Sequence, residues 1–355
     1  MRVGLALPHY DFSLLDPVGD TPGPGPAANA PGPGQPAAGR PLGFENIVDV
    51  AGRAEDLGFD SLWVSDHLSL SIEKYGGGPG EWFAYEPLTL LAALARRVGR
   101  VRLGTLVLCE ALRPAGVAAK ALTTIDHLSD GRLDIGLGAG WYEPDYLALG
   151  MDVPPPGERL ARLDEALAVL QAVLPGEPAT VDGRYHRVRS ACNRPPPRQV
   201  PHPPLFVGGK GDRLLGLVAR RGVGWNTCWV WTPAAYRERL AVLERACEAV
   251  GRDPASIPRS LGLYTLVGED RADLERRFER MRDLAPGGML RDATLEEWRE
   301  GRLVGTVEEV ADQVAAWEAA GVGELICCVG PLPFSLTAID DLDPVARGLL
   351  GPRCR

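Results

Sequence analysis

The sequence predicts a (β/α)8 barrel, and three observations carry that reading. Eight short apolar runs recur along the 355 residues, at 2–8, 61–64, 101–108, 133–137, 204–207, 225–229, 261–267 and 324–329. Nearly all are separated by segments of helical periodicity. Continuous apolar strands alternating with amphipathic helices describe a parallel sheet covered by helices, and eight such units make a closed barrel the first choice. An open doubly wound sheet is the runner-up. The third observation is that polar and glycine-rich clusters fall just after strands, where a barrel of this kind does its work.

The elements follow in order. Phe44, Ile47, Val48, Ala51, Ala54 and Leu57 recur at helical spacing over 43–58, and Gly58 is a stop signal. Further helices are expected at about 86–98, 114–127, 157–173, 212–221, 233–250, 270–282 and 306–319. The last begins at Thr306, with Glu309 three residues on, a capping-box spacing. Residues 19–41 form a Pro/Gly/Ala-rich run without apolar periodicity, expected as a mobile loop on the catalytic face and a lid candidate. Residues 69–85 read as a long connection. Residues 175–204, rich in Pro and Arg, read as an insertion before strand five with a small hairpin around 180–188. The whole chain, 1–355, reads as one barrel domain.

Composition excludes several classes of function. A net charge of -9 argues against nucleic acid as the main partner, because phosphate backbones need a basic face. No apolar run approaches a membrane span, and the start of the chain does not read as a signal peptide. Seven cysteines without a C-x-x-C pair suit reduced thiols and a cytoplasmic setting. The histidines form no metal-spaced set with cysteines, so no metal site is expected. Lysine is rare: Lys74, Lys120 and Lys210 stand among 38 basic residues, a bias expected of a GC-rich genome.

The barrel rule brings the motifs to one rim. Asp66-His67 ends strand two, an acid beside a ring that titrates near neutral pH, while a surface turn is the plainer reading. His9-Tyr10 follows strand one, residues 105–110 follow strand three, Gly138-Ala-Gly-Trp-Tyr142 follows strand four, and 227–231 ends strand six. Gly208-Gly-Lys-Gly211 leads into a helix, where free N–H groups favour phosphate and Lys210 adds charge. Gly136-Leu-Gly-Ala-Gly140 lacks the spacing of a dinucleotide fingerprint. Trp63, Trp82, Phe83, Tyr85, Trp141, Tyr142, Trp225, Trp229 and Trp231 crowd these segments, and about half are expected to line a pocket for a flat ring. His127 reads as structural.

Residues 58–68 (GFDSLWVSDHL), 86–95, 100–107 (RVRLGTLV), 119–143 (AKALTTIDHLSDGRLDIGLGAGWYE), 201–211 (PHPPLFVGGKG) and 224–226 carry a resemblance to a known family. The chain resembles the luciferase-like monooxygenase superfamily, and within it the coenzyme F420-dependent oxidoreductases. That resemblance implies a deazaflavin bound against Asp66 and His67, with His67 near the hydride-carrying carbon. It implies a non-proline cis peptide at Leu106-Val107 behind the ring, beside Thr105. Ala139, Gly140 and Trp141 would contact the cofactor, and Gly208, Gly209, Lys210 and Gly211 would hold its phosphate. Trp141 stands where sugar-phosphate dehydrogenases of this branch carry an acid, which argues for a more apolar substrate. The expected activity is hydride transfer between F420 and an apolar small molecule, with Asp66 and His67 as catalytic residues. An FMN-dependent monooxygenase is the alternative, and a flavin-binding barrel without turnover the third reading. Sequence does not reveal the oligomeric state, and a homodimer is kept as an expectation.

Overall fold

In the computed structural model, residues 1–16 and 42–351 are described. The expected loop at 19–41 lies outside the described residues. Eight parallel strands form the barrel: β1 (Arg2–Ala6), β2 (Ser61–Val64), β3 (Arg102–Thr105), β4 (Leu133–Gly138), β5 (Leu205–Gly208), β6 (Gly224–Trp229), β7 (Arg259–Gly268) and β8 (Glu324–Cys328). Each pairs with its neighbour in chain order, β8 returns to β1 with Val3 opposite Leu325, and β4 meets β5 with Ile135 opposite Leu205. All eight match the apolar runs of the sequence, because strands covered on both faces need apolar side chains throughout.

Helices α1 (Phe44–Leu57), α2 (Pro87–Leu94), α3 (Ala115–Leu128), α4 (Glu143–Ala148) and α5 (Pro156–Val173) follow the first four strands. Then come α6 (Asp212–Arg221), α7 (Pro233–Ala249), α8 (Arg271–Leu284), the short α9 (Leu295–Arg299), α10 (Val307–Ala319) and α11 (Leu342–Leu350). The capping box at α10 forms: the Thr306 hydroxyl accepts from Glu309 N–H, and the Glu309 carboxylate accepts from Thr306 N–H. Gly58 closes α1 in the left-handed conformation at φ 92°.

Several elements depart from the sequence reading. The third strand breaks at Leu106-Val107 and resumes at Leu108–Cys109, still paired with β4. The connection expected at 69–85 contains an antiparallel hairpin, Ser69–Ser71 with Glu81–Phe83. Leu14–Asp16 pairs with Leu336–Ala338, and Leu303–Thr306 adds to the far half of β7. Before β5 the hairpin is Ala179–Asp182 with Arg187–Ala191, and the segment after it is tied to α3 through Asp126, whose carboxylate accepts from the backbone N–H groups of Arg198 and Gln199.

The bottom of the barrel is closed by charge. Glu324 pairs with Arg2, Asp134 with Arg102, and the Ser61 hydroxyl donates to Glu324. Burial raises the Glu324 carboxyl above its ordinary range. Above this floor Trp63 fills the interior, 1% exposed, with its indole N–H donating to Ser61 at 2.8 Å and its ring edge-on to Phe206. The neighbouring strands make room with Gly4 and Gly104: a Cβ on Gly104 would lie 2.3 Å from the Trp63 ring. Gly104→Ala is therefore expected to lower unfolding free energy by about 1–3 kcal/mol through overpacking. Gly52→Ala, inside α1 where a Cβ meets nothing, should raise it by about 0.5–1 kcal/mol. Urea unfolding of both variants checks the contrast.

Candidate active site

At the carboxyl ends of the strands lies a cavity of about 630 Å³. Ten of the twelve residues expected at the site line it: Asp66, His67, Leu106, Val107, Ala139, Gly140, Trp141, Gly208, Gly209 and Lys210. Thr105 does not. It is fully buried, and its hydroxyl donates to Gly136 O and accepts from Gly136 N–H, both at 2.9 Å, tying β3 to β4 behind the wall. Gly211 stands just outside as the N-cap of α6.

The imidazole of His67 is held by an acid that sequence adjacency did not suggest. Its Nδ1 lies 2.7 Å from Oδ2 of Asp145 on α4, while the other oxygen, Oδ1, accepts from the N–H groups of Leu68 and Ser69 at 3.0 and 3.4 Å. With the carboxylate on Nδ1, that nitrogen carries the proton and Nε2 is left without a protein partner among the described residues. Asp66, the acid beside the ring in sequence, does not bond it. Asp66 accepts from both terminal nitrogens of Arg113, at 2.6 and 3.0 Å, and from Cys109 N–H at 2.9 Å. Its charge is spent on anchoring the segment after β3. The only sequence signal for Asp145 was its place just beyond Gly138-Ala-Gly-Trp-Tyr142; Glu143, the acid nearer that cluster, is exposed.

The back wall is built around Val107. The Leu106-Val107 peptide is cis, as the resemblance implied, and so is Cys228-Trp229, which nothing in the sequence announced. The Val107 side chain occupies the space where a Cβ on Gly138 or Gly208 would sit, at 2.7 and 3.0 Å, and a Cβ on Gly136 would strike Thr105 O at 2.2 Å. These glycines permit close backbone approach around the bulge. Gly209 is committed too: its N–H donates to Asn226 O and its carbonyl accepts the Trp225 indole N–H at 2.7 Å. Only the N–H groups of Lys210 and Gly211, among these four residues, remain free to meet an anion ahead of α6.

Of the nine aromatic residues gathered from sequence, only Trp141 and Trp229 line the cavity. Trp63 is barrel interior, Trp225 and Trp231 pack against Tyr236 under α7, and Phe83 points to solvent at 61% exposure. Tyr10, Tyr75 and Phe334 complete the aromatic lining. His9, beside Tyr10, is buried: its Nδ1–H donates to Leu7 O, and its Nε2 accepts from the Ser65 hydroxyl at 3.0 Å. His127 bonds Pro196 O and is structural, as expected.

The family model described as luciferase-like monooxygenase matches residues 25–324. The chain belongs to the luciferase-like monooxygenase family. It is 31% identical over 234 residues to a phthiodiolone/phenolphthiodiolone dimycocerosates ketoreductase of Mycobacterium sp. (strain JLS), covering 62% of this chain and 60% of that protein. It is 32% identical over 208 residues to an F420-dependent glucose-6-phosphate dehydrogenase of Microbacterium testaceum, covering 58% and 59%. The matches thus span less than two thirds of those relatives. The crystal structure of monooxygenase RslO1 from Streptomyces bottropensis superposes with a TM-score of 0.73 at 22% identity, over 99% of each chain, a likeness of fold. Relatives of this luciferase-like barrel are thus oxidoreductases and monooxygenases, and both F420-dependent and monooxygenase enzymes are among them.

In this luciferase-like site, groups of His, Cys, Asp and Glu that could hold a metal ion are absent among the described residues. No helix among the described residues is long and apolar enough to cross a membrane. Burial lowers the His9 imidazole from 6.5 to about 4. Its folded form stays neutral while the unfolded form takes a proton below 6.5. Stability is therefore complete above pH 6.5 and falls as pH drops through 6.5 towards 4, by up to about 3 kcal/mol. Denaturant unfolding at pH 7 and pH 4.5 should show this loss in the native chain and a smaller one in His9→Gln.

Proposed function

We propose that this luciferase-like barrel is a coenzyme F420-dependent oxidoreductase that moves a hydride between the deazaflavin and an apolar organic small molecule. The observation that carries the reading is the imidazole of His67, fixed by Asp145 on one nitrogen and open on the other, on the wall of a cavity large enough for a tricyclic ring and a substrate. When bound, the deazaflavin would supply the hydride chemistry.

The residues fit such a ring. Leu106 and Val107 offer an apolar backing, and Gly138 and Gly208 make the room that seats Val107 in the wall. Lys210 and the free N–H groups before α6 would meet the phosphate. His67 would give or take a proton at Nε2 as the substrate oxygen changes charge, and Asp145 would keep the opposite nitrogen protonated. Asp66 acts through Arg113 and Cys109 as a positioning residue. Trp141, Trp229 and Phe334 would exclude water from an apolar substrate. The relationship to an F420-dependent dehydrogenase supports F420 over FMN, as does the Asp66-His67 pair.

Fluorescence titration of the purified protein with F420 and with FMN tests the cofactor. Binding of F420 with little FMN response is expected. Tight FMN binding without an F420 response would turn the assignment to a reduced-flavin monooxygenase. Binding without turnover of any carbonyl or alcohol would leave a flavin-binding barrel. His67→Ala should lose at least a hundredfold in turnover while F420 affinity stays within about tenfold, no more than about 1.4 kcal/mol. An active variant returns His67 to a packing role.

A further inference from the structure

The cavity has two ends of different chemistry. Its depth is apolar and aromatic, with Tyr10, Leu70, Leu106 and Phe334 on the wall. At its mouth stands Lys74, in the one-turn helix Glu73–Tyr75 after β2. The Lys74 ammonium lies 3.3 Å from the centre of the Trp141 ring and 4.7 Å from that of Tyr75. The Trp141 ring in turn meets His67 edge-on at 5.4 Å. So the ammonium and the imidazole are separated by one indole.

Lys74 has no carboxylate partner among the described residues. Glu73, beside it on the same turn, is exposed and forms no ion pair with it; Glu81 of the hairpin is taken by the Ser69 and Tyr142 hydroxyls, and Asp145 by His67. The groups facing Lys74 from the other walls are Cys228 of β6 and Tyr75 on its own turn, both neutral near pH 7. Burial pushes the Cys228 thiol up to about 12 and raises the Tyr75 phenol further. Desolvation against these walls pulls the Lys74 amine down to about 8. An ammonium has three donors and no acceptor, and among the described residues it is ring faces that meet it.

The residue type adds a second observation. Only three of the 38 basic residues are lysine, and two of the three, Lys74 and Lys210, line this cavity. Elsewhere, Lys120 apart, the chain uses arginine for positive charge. A lysine keeps a compact point charge on a slender stem where a planar guanidinium would spread over the indole. The lysine is also held in place. The hairpin Ser69–Ser71 with Glu81–Phe83 carries it, and Tyr142 locks that hairpin by accepting from Ser71 N–H and donating to Glu81. Below, a Cβ on Gly287 would lie 2.4 Å from Gly78 N, so the two loops pack backbone to backbone.

We propose that the substrate is an apolar, aromatic-sized molecule with an oxyanion, a carboxylate or phenolate, at its solvent end, and that Lys74 above Trp141 is the residue that selects it. The apolar body would enter the depth beside His67, while the charge stays at the mouth, where the ammonium exchanges a ring face for a charge-assisted hydrogen bond. This rests on the cavity being the substrate site, but not on which flavin shares it.

The probes are 2-naphthoate and the neutral 2-acetylnaphthalene, titrated into the protein with and without F420 and followed by calorimetry. At pH 7 the carboxylate should bind at least tenfold more tightly than the ketone. That preference should fall by about tenfold between pH 7 and pH 9, as the Lys74 ammonium loses its proton. Lys74→Met should abolish the preference and its pH dependence at unchanged F420 affinity. Lys74→Arg should keep the preference and lose the fall. Equal affinity for the two probes, a preference that survives in Lys74→Met, or no binding of either at millimolar concentration would overturn the proposal. A failure to bind F420 with the naphthoate preference intact would count against the cofactor assignment alone.

Discussion

One carboxylate organises the working rim. Asp145 receives the His67 ring and the two backbone N–H groups that follow it, so the posture of the imidazole and the path of the chain leaving β2 are set by a single group. Such a carboxylate is nearly buried, and charge-assisted hydrogen bonds from three donors offset its desolvation. Because Asp145 sits after β4, the interaction spans the mouth from β2 to β4. Asp66 ties the same strand end in the other direction, to the segment after β3. Two adjacent residues at the end of β2 are thereby anchored to different neighbours, and the His67 ring has little freedom.

The opposite wall obeys a constraint of volume rather than charge. Val107 projects from the interruption of β3 into space that side chains on β4 and β5 would otherwise occupy, and the glycines at 136, 138 and 208 answer that demand. A glycine-rich run after a strand suggests phosphate binding when met in sequence. Here Gly138 and Gly208 make room for the Val107 side chain and Gly136 for the Thr105 carbonyl, and the amides of Lys210 and Gly211 are what remains free before α6. Glycine marks closeness; what comes close has to be learned from the fold.

That distinction explains how much could be read in advance. All eight barrel strands were legible, because each is apolar along its length and bounded by polar or glycine residues. Eight helices were legible to within a few residues for the same kind of reason, a local period, whereas α4, α9 and α11 were not expected. The three-residue pair of Leu14–Asp16 with Leu336–Ala338 was not, since three residues carry no period and the partners lie far apart in sequence. The cavity residues were collected well because the barrel rule maps strand ends onto one rim. Their roles were assigned less well. Asp66 stands beside His67 in sequence, yet alternation along an extended chain sends their side chains to different partners, and the true partner is 78 residues away. Trp63 and Trp225 sit on strands that reach the mouth, but the same alternation turns one into the barrel and the other under α7.

The exchange at position 141 brings these points together. Among relatives of the sugar-phosphate type the resemblance places an acid there, within reach of the reacting atoms. In this chain the imidazole still has a carboxylate, but it comes from Asp145, one helical turn further along and behind the ring. Position 141 is thereby released from proton handling and carries an indole, half exposed, with His67 at its edge and Lys74 on its face. An acid at 141 would have neutralised the lysine and drawn water to the imidazole. An indole does neither: it leaves the ammonium without a carboxylate partner among the described residues and sets an apolar ring beside the imidazole. On the proposed reading, proton transfer at His67 and charge recognition at Lys74 fall at separate depths of one cavity, with the Trp141 indole between them.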